Sequence, residues 1–107
     1  MSQWRHEASQ RLPELQKTIA SPLVHTPSEL WMEIWSEFDR LCRETPVPTE
    51  LLSRIWDYAK SCLDHRDDNV QFAVISHFFQ KIRDTHLYRE VLPTFMRLEE
   101  YERICQS

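Results

Sequence analysis

The sequence predicts an all-α domain: five to six helices packed as antiparallel helical hairpins. Three observations carry this. Apolar residues recur at spacings of three and four, and no stretch alternates like a strand. Glycine is absent from all 107 residues, and Asn occurs once, so the Asn-Gly type of hairpin turn is missing. The length fits one domain, with 41% hydrophobic and 28% charged residues and enough aromatic material (4 Trp, 5 Phe, 3 Tyr) for a core. Residues 1–107 are therefore read as a single helical domain. Residues 1–25 form a kinked N-terminal helix and connection, and residues 26–107 form the main bundle.

The elements follow in order. Trp4, Ala8, Leu12, Leu15 and Ile19 share a helical stripe that Pro13 interrupts, which predicts a kink or two short helices. Pro22 and Pro27 bound an irregular connection. "TPSE" then reads as a helix start: Thr26 as N-cap, Pro27 as the first helical residue, and Glu29 as the capping-box partner. That helix is expected to run to about Arg43, where "TPVP" ends it. A third helix begins near Pro48, with Leu52, Ile55, Trp56, Ala59, Cys62 and Leu63 on its apolar face. "HRDDN" breaks it without glycine, so Asn69 or an Asp is expected to take any special dihedral, and Asp68 with Gln71 reads as the next cap. A fourth helix carries Val70, Val74, Ile75, Phe78, Phe79 and Ile82, with Phe72 and Ala73 widening its apolar face. The short turn before it makes helices three and four antiparallel neighbours. Thr85 is placed to cap a fifth helix that Pro93 stops. A last helix near Leu98 to Cys105 offers Leu98, Tyr101 and Ile104. The stretches "ELWMEIWSEFDRLC" and "ELLSRIWDYAKSCL" align loosely, which suits stacked helices.

Charge bounds the function. The net charge is −4, without the basic footprint of a general nucleic-acid binder. Residues 26–68 hold 10 acidic and 5 basic side chains, while residues 69–107 balance at 5 and 5. The most basic stretch (Lys81, Arg83 and Arg89, beside Tyr88) is interrupted by Asp84 and Glu90, so no nucleic-acid partner is expected. Cys42, Cys62 and Cys105 cannot all pair and form no CxxC. With no leader-like N-terminus, a cytoplasmic location is expected. The uncharged run "NVQFAVISHFFQ" is shorter than the roughly 20 residues a membrane span needs, so no membrane partner is expected either.

Several chemistries are set aside. Without glycine, neither the phosphate-cradling loop GxxxxGK[ST] nor the dinucleotide fingerprint GxGxxG exists here. Cys62 and His65 sit three apart, but no second Cys/His pair at ligand spacing completes a zinc site, and neither Glu-x-x-His nor HExxH occurs. Asp64-His65 and Asp84-Thr85-His86 are sequence neighbours, which do not face each other on a helix. Cys62 has acidic surroundings rather than an activating base. No catalytic residue, metal ligand or cofactor is assigned, and the chain is read as a non-enzyme.

What remains is a surface. Glu29, Glu33 and Glu37 follow i, i+4, i+8 and line one side of the second helix. Like charges at that spacing cost roughly 0.2–0.5 kcal/mol per pair. Glu37 is within reach of Arg40. Asp57 and Asp64 lie seven apart on one face of the third helix. If the two helices pack side by side, the five acids form one protein-binding patch for a basic partner. The plainer reading is a solvated polar face. On the same helix, Trp31, Trp35 and Phe38 form a stripe beside Leu30, Ile34 and Leu41. Burial worth roughly 2–3 kcal/mol per aromatic favours core. An exposed Trp or Met32 would instead make an interface.

"RIWDYAKSCLDHRDDNVQFAVISHFFQKI" and the proline-bounded "REVLPTFMRLEEYERI" resemble a segment of small bacterial helical domains of unknown function, over residues 50–105. The resemblance implies an all-helical, HEAT-like fold, some of whose members look like immunity proteins that neutralise a partner toxin. It brings no catalytic residues. The expected function is a non-catalytic protein-binding domain of immunity or inhibitor type. The alternative is a structural or homo-oligomerising helical domain, with a homodimer as partner.

Overall fold

The computed structural model describes residues 3–84. The first apolar stripe breaks where Pro13 stands. Helix α1 (Gln3–Arg11) stops, Leu12 leaves the helical backbone (φ −130°, ψ 65°), Pro13–Leu15 forms a 3-10 turn, and α2 (Gln16–Ile19) follows. Proline has no N–H to donate, so the helical ladder restarts at it rather than passing through it. The kink keeps the stripe facing inward: Ala8, Leu12, Leu15 and Ile19 are buried, and Trp4 packs partly against them.

Helix α3 (Pro27–Cys42) starts as its cap chemistry dictates. Thr26 Oγ1 accepts the Glu29 N–H at 3.2 Å and donates its own O–H to Glu29 Oε1 at 3.2 Å. The same Oε1 accepts the His25 N–H at 3.2 Å, one residue before the cap. Two backbone donors at the helix start are thereby satisfied. Residues 43–48, with a cis Thr45–Pro46 bond, lead to α4 (Thr49–Cys62). Leu52, Ile55, Trp56, Tyr58, Ala59 and Cys62 are buried on α4, and Leu63 is half-buried. Tyr58, absent from the expected face, stacks on Trp31 at 5.6 Å between ring centroids. That contact joins the start of α3 to the end of α4, as an antiparallel hairpin requires.

The next turn differs from expectation in two ways. Its cap is Asp67, not Asp68: Asp67 Oδ1 accepts the Asn69 N–H at 2.9 Å, and the Gln71 amide donates back to the His65 carbonyl. No described residue has a positive φ, so neither Asn69 nor an Asp takes a left-handed dihedral. The Asp67 cap and the hydrogen bonds of His65 to Asp67 and Gln71 turn the chain without a left-handed residue.

The fourth expected helix is a rod in three parts: α5 (Asp68–Val74), a π turn (Ile75–Phe79) and α6 (Gln80–Asp84). The π turn corrects the expected apolar face. In an unbroken α-helix, at about 100° per residue, Phe72, Ile75, Phe79 and Ile82 would share one side. Val70, Ala73 and Val74 would occupy the other. A π turn holds one residue more than an α turn and shifts the phase between the halves. Phe78, Phe79 and Ile82 consequently join Val70, Ala73 and Val74 in the core. Phe72 and Ile75, expected inside, are left 64% and 42% exposed.

Phe78 is the hub of the core. Its ring lies 5.0 Å from Phe38, 5.3 Å from Phe79, 5.5 Å from Trp31, and 6.1 Å from both Trp35 and Trp56. Most of these pairs are edge-to-face, which adds to simple burial. A single cluster of buried side chains runs from Ala8 to Ile82, so residues 1–25 contribute to the same core as the later helices. Among the described residues the chain is all-α and contains no strand, and no helix is long and apolar enough to cross a membrane. The expected helices after Thr85 and near Leu98 to Cys105 lie outside the described residues, as does Cys105.

Candidate protein-binding surface

The apolar stripe of α3 decides where its acids stand. Leu30, Trp31, Ile34, Phe38, Leu41 and Cys42 are buried, so the i, i+4, i+8 row of Glu29, Glu33 and Glu37 emerges along the flank beside Leu30 and Ile34. The three glutamates are not equivalent. Glu29 is half-buried and bound into the Thr26 cap. Glu37 Oε2 pairs with Arg40 at 2.8 Å, and the other arm of that guanidinium reaches Glu44 at 2.7 Å. The hydrogen bond from Glu37, then its charge, raise the Arg40 pKa. Glu33 is exposed and forms no ion pair among the described residues. Over residues 29–44 there are five acids (Glu29, Glu33, Glu37, Asp39, Glu44) and two bases (Arg40, Arg43), a formal charge of −3.

Asp57 and Asp64 are the other two acids of the expected patch. Both are exposed, but they do not share a helix face as expected: Asp57 stands on the side of α4 opposite its buried Leu52–Ile55–Ala59 stripe, whereas α4 ends at Cys62 and Asp64 lies in the turn after it. Asp57 lies 3.7 Å from Lys60, and Asp64 forms no ion pair among the described residues. No ion pair or hydrogen bond links these two to the glutamates of α3 among the described residues. The surface is a glutamate row on α3 and two separate carboxylates, Asp57 on α4 and Asp64 in the turn after it, with Glu33 and Asp64 in no ion pair among the described residues.

A polar cluster at the seam of α1 and α4 had no local signal in the sequence. His65 Nε2 lies 2.9 Å from Glu7 Oε2, while Nδ1 accepts the Asp67 N–H at 3.0 Å. Because Nδ1 accepts, Nε2 carries the hydrogen and donates to Glu7. Both ring nitrogens are thus committed, and His65 clips α1 to the turn before α5. Arg11 lies over the Tyr58 ring at 5.2 Å. Two further contacts, Arg54 to Glu14 (Nη1 to Oε1, 2.9 Å) and Arg5 to the Val24 carbonyl, tie the N-terminal segment down. The partners of the His65 and Arg54 contacts stand 58 and 40 residues apart in the chain, a separation that periodicity cannot register.

The thiols in this region are shielded rather than activated. Burial pushes Cys62 up to about 11 and Cys42 up to about 12, and raises Tyr58 as well. A nucleophilic cysteine needs the opposite shift. These shifts set a pH dependence. The unfolded thiols ionise near 9.0, before the folded ones. Their contribution to stability is therefore complete below pH 9.0 and falls as pH rises through about 11 and 12. Urea midpoints measured from neutral to alkaline pH are expected to decline above that point, with a shallower decline in Cys62→Ala. An unchanged slope in the variant would show that burial of the thiol does not govern the loss.

Among the described residues no group of three His, Cys, Asp or Glu side chains is arranged to hold a metal ion. No protein-family model, curated protein or solved structure matches this chain.

Proposed function

We propose that the chain is a non-catalytic protein-binding helical domain of immunity or inhibitor type, presenting an acidic surface to a basic protein. The observation that carries this is Glu33, exposed and in no ion pair among the described residues, within the stretch 29–44 of formal charge −3. Leaving like charges along one flank costs stability. The same arrangement raises the association rate of a cationic partner and rejects an anionic one. Asp57 on α4 and Asp64 in the turn after it supply further acidic groups. The immunity or inhibitor type is what the resemblance of residues 50–105 to small bacterial HEAT-like domains implies. Two free, buried thiols, Cys42 and Cys62, suit a reducing cytoplasm.

The test is affinity capture of a basic protein from cells that make this chain, compared with the E33K/E37K variant. The wild-type domain is expected to retain such a partner at low salt and release it as salt rises. The reversal is expected to weaken retention at least about tenfold, with the helical signal kept and the melt still cooperative. Equal retention by both proteins removes the acidic surface from consideration.

A second reading, self-association, is favoured by a different observation: Phe72 and Ile75 stand on the outside of the bundle. Sedimentation across a concentration series decides it. A dimer disrupted by polar substitution at Phe72 supports self-association, and a monomer at all concentrations excludes it.

A further inference from the structure

The rod that begins at Asp68 is anchored unevenly. Beyond Ser76 it is held by large rings. Phe78 meets Trp31, Trp35, Phe38 and Trp56, and Phe79 meets Trp56 edge-on at 5.2 Å. Before Ile75 it is held by small side chains, Val70, Ala73 and Val74. The larger apolar residues beside them, Phe72 and Ile75, stand outside. The π turn lies between the two halves and sets the rotation of one against the other.

A second arrangement is open to the same residues. Let Phe78, Phe79 and Ile82 keep their places while the π turn relaxes to α geometry. Helix α5 then rotates by about 100° around the rod axis. Ile75 turns to the core, Phe72 moves to its edge, and Val70 and Ala73 turn outward. The exchange puts larger apolar side chains inside and restores ordinary helical hydrogen bonds. It also turns Gln71 and, at the helix start, Asp68 toward the core. Burying those polar groups opposes the exchange. In the observed phase the Gln71 amide is satisfied, because it donates to the His65 carbonyl. Asp67 caps Asn69 in the same turn at 2.9 Å, and its N–H is held by His65 Nδ1 at 3.0 Å. These bonds latch α5 where it stands.

We infer that the α5–π turn–α6 rod is a two-phase element. A minor straight-helix phase, with Ile75 and part of Phe72 inside, exchanges with the observed phase, and the contacts of Gln71 and Asp67 with His65 hold the balance. The phase decides whether Phe72 and Ile75 are offered at the surface, so any protein that covers them selects the observed phase. The inference stands on packing and is independent of the acidic surface.

The test is fluorine NMR of the full chain labelled with fluorophenylalanine, the Phe72 resonance being assigned through Phe72→Leu. Helix register shifts fall in the microsecond-to-millisecond range that relaxation dispersion reads. Wild type is expected to show dispersion at Phe72. Gln71→Leu removes both the latch and the polar cost of the straight phase. It is expected to raise the minor population at least about tenfold, with Phe72 broadened less by a soluble paramagnetic agent. Gln71→Ala removes the same bond with a smaller side chain, and a smaller shift in the same direction is expected if the leucine variant does not fold. Deleting Ser76 gives the observed core without a π turn, so the dispersion is expected to vanish.

No dispersion at Phe72 in wild type, together with an unchanged spectrum in the Gln71 variants, overturns the inference. Dispersion that survives deletion of Ser76 overturns it too, because the motion then lies outside the π turn. Dispersion that grows with protein concentration reports contact between copies of the chain, which also overturns it and leaves self-association standing.

Discussion

Replacing Phe78 with alanine is expected to destabilise the protein by about 3–5 kcal/mol. Stabilities of native domains run to only about 5–15 kcal/mol, so this single change removes a large part of the total. The reason is geometric. Phe78 touches Trp31, Trp35, Phe38, Trp56 and Phe79, which lie on α3, α4 and the π turn. Its removal leaves a cavity walled by large rings that sit in fixed rotamers and cannot collapse onto the gap. The melting temperature is expected to drop by at least about 12 °C. Phe78→Leu keeps most of the volume and should cost less than half as much. Thermal melts of the two variants, followed by tryptophan fluorescence, check this. A loss below about 1 kcal/mol in Phe78→Ala would mean that the ring is not packed as described.

The second large effect concerns chain length within the π turn. Deleting Ser76 converts the π turn into an α turn. Val70, Ala73 and Val74 then share one face with the residues now at 78, 79 and 82, and the core is kept. Inserting one alanine after Ser76 does the reverse. It rotates Phe78, Phe79 and Ile82 by about 100° away from the core. Losing two aromatic anchors at about 3–5 kcal/mol each would leave no stable fold. The deletion variant is expected to melt cooperatively near the wild-type temperature, and the insertion variant to show no cooperative transition. Equal behaviour of the two variants would show that the π turn does not set the helix phase.

This contrast marks a limit of what periodicity can reveal. The residues around the π turn carry two overlapping apolar patterns, one including Phe72 and Ile75 and the other Val70, Ala73 and Val74. Periodicity alone merges them into one wide apolar face. Only the surface of α3, with Trp31, Trp35 and Phe38 already in place, selects which members face inward. Phe72 widens the apolar face of the pattern for that reason, yet it stands in solvent. The turn before α5 is a smaller case. Asp67 and Asp68 are chemically equal as caps, and the His65 contacts with Asp67 and Gln71 select between them.

The acidic surface was legible in part. The Glu29–Glu33–Glu37 row follows directly from helical spacing, as does the Thr26–Glu29 cap. That Glu29 is occupied by that cap, Glu37 held by Arg40, and Glu33 free depends on side-chain geometry. The Glu7–His65 and Glu14–Arg54 ties carried no sequence signal, since each joins segments far apart in the chain.

The sequence by itself determined the helical class, the helix starts at Thr26 and near Pro48, the break at Pro13, and the sign of the surface charge. These depend on proline geometry, capping chemistry and spacing, all of which act within a few residues. Tertiary structure decided the phase of the last described rod, the exposure of Phe72 and Ile75, and which carboxylates remain unpaired. Those outcomes depend on contacts between helices, where burial of a whole aromatic ring outweighs the local cost of forming a π turn.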